Sequence, residues 1–150
     1  MTTEAGMREE LTTSAQGMPV SPTGSRLLHV GCGPEKIVGS IGIDINPRSA
    51  ADVIHDLDTF PYPFSDNSFD CVVCDHVLEH LTDIPRVMEE LHRISASNGR
   101  IEIRVPHFSS VFYYRDPTHK HPFSLHSMDY FLDDTVVAEF RYTSVRFRLL

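Results

Sequence analysis

Apolar residues in this chain come in short bursts, each ending on a glycine or a charged residue. Residues 26–30 form one burst, which stops at Gly31-Cys32-Gly33-Pro34. Residues 40–45 alternate Ile with Gly and end at Asp44 and Ile45, before the turn Asn46-Pro47-Arg48. Residues 52–57 are a third, weaker burst ending at Asp56-Leu57. Residues 69–75 are the strongest: Cys71-Val72-Val73-Cys74 is continuously apolar, as in a strand covered on both faces, and Asp75-His76 closes it. Residues 100–105 then alternate Ile101, Ile103 and Val105 against Arg100, Glu102 and Arg104. These five segments predict strands of an open parallel sheet.

One stretch has helical period. Ile84, Val87, Met88, Leu91 and Ile94 make a single stripe. Asp83 is placed to cap it, Pro85 suits its first turn, and Gly99 is placed to end it, so a helix over 83–98 is predicted, with a Glu89–Arg93 pair on its surface. Only residues 35–40, interrupted by Gly39, separate the glycine turn from the second strand, which leaves room for one helical turn at most. Residues 59–67, with Pro61 and Pro63, read as loop. Residues 108–125 read as a long aromatic, histidine-rich loop, a length that in compact domains is usually functional or mobile. A short helix over 124–132 and a last strand over 142–150 complete the reading. Residues 1–24, rich in Thr, Ser, Gly, Pro and Glu, are expected to be a mobile tail, and the domain to occupy 25–150.

Composition narrows the function. The 150 residues suffice for one domain with a real core. A net charge of −8 with only two lysines argues against nucleic-acid binding as a main activity. No apolar run approaches the ~18 residues of a membrane span, so no membrane association is expected. Three cysteines are an odd count that suits a reducing compartment, and a cytoplasmic location is expected.

A polar residue at the carboxyl end of each buried strand is how an open α/β sheet carries a nucleotide-like ligand. A dinucleotide fingerprint needs a third glycine and an acid about 20 residues on. Lys36 stands where that glycine belongs, and Asp44 follows Gly33 by only 11 residues. Cys71-x-x-Cys74 has redox spacing, but residues three apart on a strand point to opposite faces. His107, Asp116, His119, His121 and His126 match no zinc spacing, so no metal is expected.

Leu28-His29-Val30-Gly31-Cys32-Gly33-Pro34, Ile41-Gly42-Ile43-Asp44-Ile45 and Leu78-Glu79-His80-Leu81 together resemble the class I S-adenosylmethionine-dependent methyltransferases, in particular a small methyltransferase-like branch. The resemblance covers residues 27–106. It implies an α/β, Rossmann-like, doubly wound and mostly parallel sheet with S-adenosylmethionine as cofactor. It also implies a glycine turn of Gly31, Cys32 and Gly33 against the methionine part, and an adenine read by Asp56 and the Leu57 N–H. Asp44, beside Ile45, is a ribose acceptor or a turn-forming residue. Asp56 serves equally as a loop cap. The resemblance puts Asp75 and His76 near the transferable methyl, where His76 lines the cofactor or acts as a base.

In that fold the fifth strand lies beside the fourth, so the acceptor is expected in 106–121. His107 and His119 are then further catalytic candidates, and Tyr113 and Asp116 substrate-binding ones. The aromatic residues of this loop serve as well to cover the sheet. The chain departs from the family in three ways: His29 stands where an acid is usual, the first helix is missing, and no sequence remains for the usual last antiparallel strand. A fragment or a naturally short version is expected. The function implied is methyl transfer to an unidentified, small-molecule acceptor; the alternative is a non-catalytic cofactor-binding or regulatory module.

Overall fold

The computed structural model describes residues 26–133 and 135–150; the expected tail over 1–24 lies outside the described residues. Five parallel strands form one sheet in the order β3-β2-β1-β4-β5. They are β1 (Leu27–Val30), β2 (Ile41–Asp44), β3 (Val53–Ile54), β4 (Phe69–Asp75) and β5 (Ser95–Arg104). The chain winds outward from β1 to β3, then returns to the other side of β1 for β4 and β5. The order therefore reverses between β1 and β4, where such sheets hold ligands at their carboxyl ends. This is the Rossmann-like arrangement that the strand pattern predicts.

Register explains the core. Leu28 pairs with Ile41 and Val72, Val30 with Ile43 and Cys74, and Val72 and Cys74 with Ile101 and Ile103. Residues opposite one another share a face, so these apolar side chains make one surface. Helix α1 (Ile84–Ile94) buries Val87, Met88, Leu91 and Ile94 in the same core. Asp83 caps α1 by accepting from the Arg86 N–H, and Pro85 occupies its first turn, as predicted. Cys71 and Cys74 fall on opposite faces of the sheet, paired with Arg100 and Ile103. Burial pushes the Cys74 thiol well above its ordinary range.

Several expectations need correction. Helix α1 ends at Ile94, not Asn98. Ser95 is extended (φ −77°, ψ 137°), and both its N–H and its hydroxyl donate to the Leu91 carbonyl. The chain passes at once into β5, with an irregular register opposite Phe69–Cys71. Arg93 pairs with Glu90 and Asp66 rather than Glu89, whose carboxylate accepts from the Thr143 hydroxyl. The third strand is only two residues long. Over 124–132 a single 3₁₀ turn, Asp129–Phe131, replaces the short helix. Over 142–150 a lone bridge between Leu132 and Phe147 replaces the last strand, and Leu149 and Leu150 are exposed. The long loop contains a short helix, α2 (Val111–Arg115), whose N-terminus Ser110 caps through the Phe112 N–H.

The 59–67 loop contributes to the core. Tyr62 is buried, and its hydroxyl donates to the Leu57 carbonyl at 3.0 Å. Its N–H donates to Glu90, and Arg93 donates to the Tyr62 and Phe64 carbonyls.

Candidate functional site

The glycine turn leaves the end of β1 at the switch point. Gly31 has φ +62°, and its N–H donates to the Ile43 carbonyl at 2.8 Å. A Cβ there would stand 2.4 Å from Val77 Cγ2, so only glycine lets the turn lie against the end of β4. Gly33 has φ +56°, and a Cβ there would meet nothing within 4 Å, so this part of the turn faces open space. Cys32 is buried beneath the turn, and burial raises its thiol pKa.

Asp44, at the end of β2, clamps this turn. Its Oδ2 accepts from the Gly33 N–H and its Oδ1 from the Asn46 N–H, each at 2.8 Å. A carboxylate offers about four lone-pair sites, so two such bonds leave acceptor capacity on Asp44. The turn-forming role and the ribose role are therefore compatible. Ile45 beside it is exposed. Asp56 is exposed and caps its own loop through the Asp58 N–H at 2.9 Å, while the Leu57 side chain is buried in the core.

His29 is buried in the middle of the sheet. Its Nδ1 accepts from the Ile37 N–H at 3.2 Å, and burial lowers its pKa. It holds the helix-free segment after the glycine turn against the sheet. Asp52 does the same from the other side, accepting from the Gly42 N–H at 2.7 Å and from Lys36 Nζ at 2.6 Å. Burial raises the Asp52 pKa, but these donors outweigh it and the net shift is downward.

At the end of β4, Asp75 Oδ2 accepts from Arg104 at 2.7 Å. Asp75 Oδ1 is buried without a hydrogen-bond partner. Such an atom beside the switch point suits a cationic or N–H donor of a ligand. His76 follows in the left-handed region (φ +53°), with its Nε2 3.8 Å from Asp75 Oδ1, beyond hydrogen-bond reach. Its Nδ1 lies 3.2 Å from Glu79 Oε1.

Beyond His76 opens a cleft of about 610 Å³, lined by His76, Glu79, His80, Phe112, Asp116 and His119 among others. The structure thus brings together three of the sequence-predicted site residues, His76, Asp116 and His119. Tyr113 stands behind them: its carbonyl accepts from His119 Nδ1 at 2.7 Å, and its ring lies 5.4 Å from the His119 ring. His107 is exposed and bonds Ser109 Oγ at 2.7 Å, beside the Phe108 ring. Asp116 accepts from the N–H and hydroxyl of Thr118, and these bonds hold its pKa below the usual carboxylate range.

Sequence reading missed Glu79 as a site residue. It is completely buried in the 3₁₀ turn Leu78–His80, and its Oε2 has no hydrogen-bond partner. Its backbone carbonyl accepts from the N–H groups of Lys120 and His121, which pins the long loop to this turn. A glutamate set between Val77-Leu78 and Leu81, beside His80, was the available signal.

The comparisons agree with this arrangement. The family described as "Methyltransferase domain" matches residues 28–103, which include α1 and all five strands except Leu27 of β1 and Arg104 of β5. A 2-phytyl-1,4-naphtoquinone methyltransferase from Nostoc sp. is 44% identical over 41 residues, covering 27% of this chain and 18% of that protein. A SAM-dependent methyltransferase from Archaeoglobus fulgidus superposes with a TM-score of 0.58 at 27% identity, covering 77% of this chain and 59% of that one. The YcgJ protein of Bacillus subtilis shares the fold, with a TM-score of 0.53 at 20% identity over 70% of this chain and 58% of that one. The chain therefore spans less than two thirds of the length of these relatives. A match over half of the chain, on the strands that build the switch point, is decisive for kinship: the chain belongs to the methyltransferase domain family.

Proposed function

We propose that this chain is an S-adenosylmethionine-dependent methyltransferase domain acting on a small, apolar or planar acceptor. The clamp between Asp44 and the Gly33 N–H carries the reading. It fixes a half-buried glycine turn and a carboxylate side by side at the carboxyl ends of adjacent strands. Those groups fit the cofactor: Gly31, Cys32 and Gly33 beside its methionine part, Asp44 at the ribose. The unpartnered Asp75 Oδ1 offers an acceptor to its amino group. Asp56 and Leu57 take the adenine end.

Bound S-adenosylmethionine supplies a methyl group activated by its sulfonium. The protein's part is alignment and the handling of one proton. The cleft adjoins the cofactor region because Gly31 packs on Val77, the residue after His76. His76 donates from Nδ1 to Glu79, which leaves Nε2 with a lone pair able to take a proton from an acceptor hydroxyl or carbon acid. Phe112 and the His119 ring, backed by the Tyr113 ring, give the cleft an aromatic wall. The quinone substrate named for the Nostoc relative is planar and apolar, which supports an acceptor of that class. His107, turned toward Ser109, is assigned to the rim of the loop. Three free cysteines favour the cytoplasm as its place of work.

The test is Asp44→Ala, titrated calorimetrically with S-adenosylhomocysteine. Loss of a charged acceptor for the ribose removes about 1.5–3 kcal/mol, or about 10- to 100-fold in affinity. Unchanged affinity in a folded variant removes the ribose assignment.

A further inference from the structure

We propose that Glu79, His80 and His119 form a binding site for a divalent cation of the zinc class, on the wall of the acceptor cleft. One carboxylate oxygen of Glu79 and one ring nitrogen of each histidine lie within 4.8 Å of one another. The hydrogen bonds around them assign the tautomers. His119 Nδ1 faces the Tyr113 carbonyl at 2.7 Å and must donate to it, so His119 Nε2 carries a lone pair. The Thr118 hydroxyl donates to Asp116 Oδ1 at 2.6 Å, so at His80 it can only accept. His80 Nδ1 therefore donates to Thr118 at 2.9 Å, and His80 Nε2 also carries a lone pair.

Glu79 is completely buried, its Oε1 accepts from His76, and its Oε2 has no partner. His119 Nε2 lies 3.9 Å from Glu79 Oε1, too far for a hydrogen bond. A buried carboxylate with one oxygen lacking any donor thus stands beside two imidazoles that each keep a lone pair, in a fold that pairs nearly all other buried polar atoms among the described residues. A cation is the species that satisfies all three together.

The donor set selects the class. Two imidazoles and one carboxylate suit zinc and its neighbours, whereas magnesium and calcium prefer oxygen. Three protein ligands leave a fourth position, and here that position is open to the cleft. Each histidine gives its second nitrogen to a backbone carbonyl or a bonded hydroxyl, the outer support that metal-ligating histidines usually have. Ligand atoms around tetrahedral zinc stand about 3.3 Å apart, so closure onto the ion takes side-chain shifts of about 1 Å. The bonds from Lys120 and His121 to the Glu79 carbonyl, and from His121 Nε2 to the Thr82 carbonyl, hold the loop where those shifts suffice. The expectation of no metal rested on spacings within 107–126 alone; the site takes two of its ligands from the Leu-Glu-His-Leu turn.

The site goes beyond methyl transfer and is tested without the cofactor. The full chain is titrated with zinc chloride by calorimetry, with melting followed in parallel. One tight site is expected, with a rise in melting temperature. His80→Ala and His119→Ala should each bind at least about 100-fold more weakly. Thr118→Val, which removes only the outer support of His80, should cost about 10- to 100-fold. His126→Ala, outside the cluster, should bind as the parent does. Because Glu79→Ala risks unfolding, Glu79→Gln replaces it and should also lose the site. No binding by the parent chain, or binding unchanged in both His80→Ala and His119→Ala, overturns the proposal. Neither result bears on the affinity for S-adenosylhomocysteine, so this failure and that of the methyltransferase reading are distinguishable.

Discussion

Gly31→Ala tests the claim that the glycine turn must lie directly against the end of β4. Two costs follow from the structure. An alanine held at φ +62° pays about 1–2 kcal/mol for the left-handed conformation. Its Cβ would also sit 2.4 Å from Val77 Cγ2 and 2.8 Å from Val77 Cβ. Val77 is a buried core residue, so relieving this overlap should cost a further ~1–3 kcal/mol. The alanine also stiffens the unfolded chain, which returns about 0.4–1 kcal/mol. A net loss of roughly 2–4 kcal/mol is expected, a drop of about 4–16 °C in melting temperature for a domain of this size. Urea denaturation of Gly31→Ala, Val77→Ala and the double variant separates the two costs. Val77→Ala removes Cγ2 but keeps Cβ, so the double variant should be more stable than the sum of the singles by about 1 kcal/mol or more. A Gly31→Ala protein within about 0.5 kcal/mol of the parent, or strict additivity in the cycle, refutes the contact.

Glu90→Gln should destabilise by about 1–3 kcal/mol near neutral pH, because Glu90 accepts from Arg93 and from the Tyr62 N–H. Arg93 holds the Glu90 carboxyl below its ordinary value of 4.5, so the stabilisation is present above that pH and fades as pH falls through the lower, folded value; urea melts of parent and variant should converge in acid. Tyr62→Phe should cost about 1 kcal/mol in the same melts by leaving the Leu57 carbonyl without its donor, and no loss would remove the anchoring role given to this loop.

The inward positions of the strands were legible because a residue facing the core must be apolar; the expectation that residues 71–74 are covered on both faces was too strong, since Cys71 and Val73, paired with Arg100 and Glu102, are only partly buried. Val72 and Cys74 could hardly be anything else. The glycine turn and Asp44 were legible for a related reason, since polar residues at strand ends have nowhere to go but the ligand side. The end of α1 was not legible: Asn98-Gly99 looks like a helix stop, but Ser95 turns the chain three residues earlier by bonding back to Leu91. Val145, Phe147 and Leu149 alternate like a strand, yet only Phe147 packs against the core, with an edge on His92. Alternation of side chains does not supply a neighbouring strand to pair with. Glu79 was not singled out as a site residue because the residues around it, His76, His80 and His119, come from two separate segments. No local pattern encodes that meeting.

The central claim is that the switch point of this sheet holds S-adenosylmethionine and not a dinucleotide. The most direct measurement is a calorimetric titration of the full chain with S-adenosylmethionine and, side by side, with NAD. Saturable one-site binding of S-adenosylmethionine, without heat from NAD, is the predicted result. Binding of NAD in the absence of any binding of S-adenosylmethionine would contradict the account.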